Sequence, residues 1–132
     1  MKVIIAGSRS ILSLQTVKDA IFSSGFENMI DLVVSGGAHG VDQLGEMYAR
    51  SKNIPIRRFI PNWNDVSGKP KSQIRYTKNK RPYWILAGYK RNEQMAEFSD
   101  ALIAVWDGKS RETKHMIDMA VRCGLKVFIY KV

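Results

Sequence analysis

Cysteine and histidine are scarce in this chain: Cys123, His39 and His115 are the only three, far apart in sequence. A lone cysteine can form no internal disulfide, and no cluster is available for zinc. A reducing cytosol is therefore the expected compartment, or a host's cytoplasm if a phage encodes the chain, and no metal site is expected. The apolar run Val3-Ile4-Ile5-Ala6 near the N-terminus is too short for a signal peptide or a membrane span, so no membrane partner is expected. Acidic residues are nearly missing from one stretch. From Arg50 to Arg91 the chain carries twelve Lys or Arg and one carboxylate, Asp65, so the net charge of +9 is concentrated there while the rest is close to neutral. Such an excess favours anionic partners, either nucleotides, nucleic acid or acidic protein surfaces; the alternative is a solubilising charge excess. With 132 residues, 45% of them hydrophobic and 25% charged, the chain suits one globular domain with a sizeable core.

What is present centres on Val33-Val34-Ser35-Gly36-Gly37-Ala38-His39-Gly40-Val41-Asp42. Two β-branched residues run into Ser-Gly-Gly, and a third glycine precedes an apolar-periodic segment: strand, tight turn, helix start. Glycine serves where the backbone takes positive φ or closely approaches another group. A helix N-terminus just beyond adds unpaired N–H groups and the positive end of a dipole, the components of an anion site. The plain alternative is a strand-to-helix turn that uses glycine only for its geometry.

The remaining elements follow in order. Lys2–Ala6 reads as a buried strand ending in Gly7-Ser8-Arg9. Ser13 reads as the N-cap of a helix with Leu14, Val17, Ala20 and Ile21 at helical spacing, stopped near Gly25. Asp31–Val34 is the second strand; the helix after Gly40 sets Val41, Leu44, Gly45 and Tyr48 on one side, with Asp42, Glu46 and Arg50 elsewhere. Asp42 in the first turn is explained by the helix dipole. Ile54–Ile60 is the third strand, with Pro55 at its start. Gly88–Asn92 opens a helix that turns Met95 and Phe98 inward, and Ala101–Trp106 is a fully apolar strand ending in Asp107-Gly108. Ser110 caps a helix with Met116, Ile117, Ala120 and Val121 on its inner face, Cys123-Gly124 closes it, and Leu125–Tyr130 is the last strand.

Between Pro61 and Gly88 this pattern breaks. Turn residues lead into Gln73–Thr77 and Pro82–Leu86, which alternate loosely about Lys78-Asn79-Lys80-Arg81 and predict a basic hairpin or an ordered excursion. Its aromatics, Trp63, Tyr76, Tyr83 and Trp84, either pack it onto the domain or stack on bases beside phosphate-screening cations.

The alternation predicts an α/β fold: one doubly wound, Rossmann-like parallel sheet of about five strands with a basic insertion after strand three. Such sheets bind ligands outside the carboxyl ends of their strands, where strand order reverses. Gly7-Ser8-Arg9, Ser35-Gly36-Gly37 and Asp107-Gly108 all fall at those ends.

Four segments together resemble the SLOG superfamily, the Rossmann-like group of the LOG phosphoribohydrolases, the DNA-processing protein DprA and nucleotide-ligand sensors. They are Val3–Arg9, Val34–Asp42, Gly88–Met95 and Ala104–Ser110. The chain is most similar to the small stand-alone YspA-related proteins of the DUF2493 type, found in bacteria and their phages. The resemblance implies strand order 3-2-1-4-5, a nucleotide-like ligand and no required cofactor. The expected ligand-binding set is Gly7, Ser8, Arg9, Ser35, Gly36, Gly37, Ala38, Gly40, Asp42, Arg91, Asn92, Asp107, Gly108, Ser110 and Thr113. Arg9 and Arg91 would make charge-assisted contacts and Asn92 would fix a ribose or base edge. Two departures stand out. Lys114 and His115 occupy the region of the catalytic glutamates of LOG-type enzymes, and Glu112 stands where a glycine is usual, narrowing or recharging the phosphate approach. Cleavage of an N-glycosidic bond needs a carboxylate, so the reading leans to a sensor or sequestering module. The enzymatic alternative would rest on Arg91 with Glu93, or on Glu97. A third reading, single-stranded nucleic-acid binding, would use Lys71, Arg75, Lys78, Lys80 and Arg81. Related proteins pair through helices, which implies a homodimer or a higher homo-oligomer.

Overall fold

The computed structural model describes residues 1–132. Its elements are β1 (Lys2–Gly7), α1 (Leu14–Ser24), β2 (Leu32–Ser35), α2 (Val41–Ser51), β3 (Ile56–Arg58), β4 (Ile74–Tyr76), β5 (Pro82–Trp84), α3 (Ala87–Phe98), β6 (Ala101–Trp106), α4 (Arg111–Arg122) and β7 (Lys126–Lys131). Five strands form a parallel sheet in the order β3-β2-β1-β6-β7, and β4 and β5 form a separate antiparallel hairpin. Counting only the main-sheet strands, this is the order 3-2-1-4-5. No helix is long and apolar enough to cross a membrane.

Strand periodicity explains the two cores. Val3 and Ile5 of β1, with Ala101, Ile103 and Val105 of β6, face α1 and α2. Ile4, Ala6, Leu102 and Ala104 face α3 and α4, where Met95, Met116 and Ala120 pack. Both faces are covered, so the central strands are apolar at every position rather than alternating. Each fully buried Val, Ile or Leu contributes about 1.5–3 kcal/mol relative to exposure. Ser13 and Ser110 cap their helices as expected, accepting from Thr16 N and Thr113 N at 3.3 Å each, and Gly25 ends α1 at φ 77°.

Several details differ from the sequence reading. β3 is three residues long rather than seven, because it pairs only with the short β2; beyond Arg58 the chain turns so that Phe59 meets the Phe98 ring edge-on at 5.4 Å. Val121 is 62% exposed, and Met119 takes the inward place on α4. Asp42 and Glu46 are buried rather than turned outward, and both have polar reasons. Glu46 accepts from Ser35 Oγ at 2.6 Å and from Arg58, with Arg50 at 3.3 Å. Burial alone would raise its pKa, but the Arg58 and Ser35 hydrogen bonds outweigh that and hold it below the usual range.

Candidate functional site

The strand order reverses between β1 and β6, and a cavity of about 290 Å³ opens there at their carboxyl ends. Four chain segments build it. From the end of β1 come Gly7, Ser8, Arg9 and Ser10; from α3 come Arg91, Asn92 and Met95; from the β6–α4 junction come Asp107, Ser110, Glu112, Thr113 and Met116. Ala38 and Asp42 close it from the β2–α2 turn.

Glycine makes the close approach possible. Gly40 has φ 84°, and a Cβ there would lie 2.7 Å from the Arg9 carbonyl oxygen, so this position brings the turns after β1 and β2 together. A Cβ on Gly36 would lie 2.5 Å from Arg91 Nη1 and 2.8 Å from Asp42 Oδ2. That space is what lets the arginine reach its carbonyl partner.

Arg91 is the hub. Its side chain is 2% exposed, one turn ahead of Met95 on the inward face of α3. Nη1 donates to the Gly36 carbonyl at 2.7 Å, Nε to Asn92 Oδ1 at 3.1 Å, and Nη2 to Glu112 Oε1. The other Glu112 oxygen accepts from Arg9 Nη2 at 3.4 Å. Asn92 in turn donates to the Glu112 carbonyl at 3.3 Å and lies 3.2 Å from His115 Nδ1, which stacks on Tyr89. The guanidinium is thus anchored from three directions before any ligand arrives.

Two further carboxylates differ in protonation. Asp42 accepts from Ala38 N at 3.2 Å, and burial pushes its pKa up to about 7 against the pull of Arg91. Asp107 accepts from Ser110 N and Lys109 N at 2.8 Å each, and these bonds hold it below the usual carboxylate range. The Asp107 N–H donates to Ser8 Oγ at 3.1 Å, tying β1 to β6 at the cavity floor.

Of the expected ligand-binding residues, Gly7, Ser8, Arg9, Ala38, Asp42, Arg91, Asn92, Asp107, Ser110 and Thr113 line the cavity. Ser35, Gly36, Gly37, Gly40 and Gly108 do not. Ser35 is buried, donating to Glu46 and accepting from Gly37 N at 3.1 Å, so that amide is already used inside the turn. Gly108 packs beside Lys131. Glu93 lies on the outer side of α3, 3.5 Å from Lys90, away from the cavity. Glu97 is exposed, and Lys71, Arg75, Lys78, Lys80 and Arg81 are exposed on the excursion. Sequence reading assigned Met95 and Met116 to the core and did not single out Ser10. It saw Glu112 only as a replaced glycine and did not foresee its pairing with both arginines; no spacing rule links Arg9, Arg91 and Glu112 across three elements.

Against known proteins, residues 1–65 match the profile of YAcAr, the YspA, cpYpsA-related SLOG family. Those residues carry β1, α1, β2, α2 and β3, with two of the three turns around the cavity. The fold is similar to that of DNA processing protein A (DprA) from Streptococcus pneumoniae, with a TM-score of 0.66 at 21% identity. The match covers 97% of this chain and 49% of that one, so the chain spans about half the length of that protein. No curated protein matches the chain.

Proposed function

We propose that the chain binds a nucleotide or nucleotide-derived ligand in the rim cavity, acting as a sensor or sequestering module. The observation that carries this reading is the buried Arg91, prepositioned at the strand-order reversal beside hydroxyls and carboxylates. Charged and polar groups at such a point fit a ligand with both signs of recognition. Asp42, Asp107 and Glu112 can accept from ribose hydroxyls, while Arg9, Arg91, Ser8 Oγ and the α4 N-terminus can donate to phosphate oxygens. A cavity of about 290 Å³ suits one small molecule rather than a strand of nucleic acid.

The test is mass spectrometry of small molecules released by heating purified protein, followed by calorimetric titration with the four ribonucleoside monophosphates. A nucleotide-derived species carried by wild type and absent from Arg91→Ala supports the reading. No carried species together with no heat from the panel would overturn it.

A second reading is hydrolysis of the ligand's N-glycosidic bond. Asp42 supports it: a buried carboxyl with a pKa near neutrality, lining the cavity beside Arg91, suits general-base activation of water. The attacking water would lose its proton to Asp42 as the C1′–N bond breaks, the base leaving with the electron pair. Release of free base by wild type but not by Asp42→Asn is expected on this reading, and no release across the panel would exclude it.

A further inference from the structure

The excursion forms a second cleft, of about 410 Å³, that the rim reading leaves unused. Trp63, Asn64, Thr77 and Tyr83 line it: two aromatic rings, an amide and a hydroxyl. The segment is ordered by its own bonds. Trp84 N donates to the Trp63 carbonyl at 2.7 Å, and Trp84 Nε1 donates to Gln73 Oε1 at 3.0 Å. The hairpin turn closes through Thr77, whose amide donates to the Arg81 carbonyl at 2.9 Å and whose hydroxyl accepts from Arg81 N at 3.1 Å. The cleft therefore sits at the root of a turn that carries Lys78, Lys80 and Arg81, all exposed. None of the three pairs with a carboxylate.

A charged, solvated turn explains the cations but not the aromatics. Tyr76 adjoins this turn and is 67% exposed, so it does little packing. Trp63, whose ring edge lies 3.3 Å from where a Cβ on Gly88 would be, and Tyr83 are both only half-buried, and both border the open cleft. Stacking rings with unpaired cations at one edge are the parts that bind unpaired bases and their phosphates.

We propose that this hairpin face binds single-stranded nucleic acid, a base entering the Trp63–Tyr83 cleft while Lys78, Lys80 and Arg81 neutralise the backbone. The amide of Asn64 and hydroxyl of Thr77 offer hydrogen bonds to the base edge without fixing its identity. This site is separate from the rim cavity and stands whether or not a nucleotide binds there.

Fluorescence anisotropy with labelled single-stranded dT20, from 50 to 300 mM NaCl, tests it. Three strand contacts give a slope of log K against log salt of about −2, which replacing Lys78, Lys80 and Arg81 together by serine should abolish. Tyr83→Ala and the exposed Tyr76→Ala should each weaken binding by about 5- to 100-fold while leaving that slope unchanged. Tyr76→Ala keeps the test valid should Tyr83→Ala unfold the hairpin. Failure to bind at 50 mM salt would overturn the proposal. So would binding insensitive to both tyrosines, or equal affinity for duplex DNA or polyglutamate, because each would leave charge alone, or a protein partner, as the explanation.

Discussion

Five charged side chains line the rim cavity, Arg9 and Arg91 against Asp42, Asp107 and Glu112. The excursion 61–86 holds six cations, Lys69, Lys71, Arg75, Lys78, Lys80 and Arg81, against Asp65 alone. In the cavity the cations are spoken for, since Glu112 bridges both arginines. On the excursion no cation has a carboxylate partner, and Lys69 instead sits 4.1 Å above the Trp84 ring. The net charge of +9 therefore says little about the glycine-rich rim that first suggests an anion site. The rim recognises shape and hydrogen-bond pattern; the excursion supplies long-range attraction.

Substitutions should separate the two regions by the size of their effects. Arg91→Ala should have the largest effect, abolishing ligand capture at the rim. It should also lower stability by about 2–4 kcal/mol in urea unfolding, since it leaves the Gly36 carbonyl without its partner and Glu112 with Arg9 alone. Wild-type stability in that variant would break the picture of a prebuilt hub.

Asp42 comes next, through pH. Its pKa in the folded state, about 7, lies above the 3.8 expected for an unfolded chain, so the native state holds the proton more tightly. Its contribution is fully favourable below pH 4 and is lost as pH rises to about 7, at about 1.4 kcal/mol per pH unit. Asp42→Asn should flatten the stability profile between pH 5 and 7 and be more stable than wild type at pH 8. An unchanged profile by thermal melts at a series of pH values would contradict the burial of that carboxyl.

Glu112→Gln sharpens the electrostatic side of the comparison. Neutralising the bridge should tighten binding of phosphate-bearing ligands at the rim by about tenfold, roughly the effect of one partly buried charge pair, and leave dT20 binding unmoved. Ser110→Ala, which removes the α4 cap, should cost about 1 kcal/mol. Smallest of all, serine at Lys78, Lys80 and Arg81 should shift stability by less than about 0.5 kcal/mol, because these side chains are exposed and form no ion pair. A large loss there would mean that the turn is structural.

The succession of strands and helices was legible because the apolar runs Val3–Ala6 and Ala101–Val105, the glycine turns and the serine caps each obey local rules, whereas the order of the strands in the sheet came from the family resemblance. The rim was legible too, because Gly7-Ser8-Arg9 and Asp107 fall at strand ends. The fate of Asp42 and Glu46 was not. Their position on α2 looks outward by apolar periodicity, and partners from elsewhere, Ser35 of β2 and Arg58 of the edge strand for Glu46 and the Ala38 amide of the preceding turn for Asp42, explain why carboxylates stay buried. The placement of Glu93 outside the cavity was equally hard to read. Its neighbour Arg91 turns inward, while Glu93, two residues along the helix, faces the opposite way and pairs with Lys90.

The most direct measurement is a pair of ¹H–¹⁵N NMR titrations of the wild-type protein, one with AMP and one with dT20. AMP is expected to move the amides of Gly7, Ser8, Ser110 and Thr113 and leave residues 74–84 still, whereas dT20 moves the second set and not the first. One set responding to both probes, or rim amides indifferent to AMP, would contradict the division of labour between the two regions.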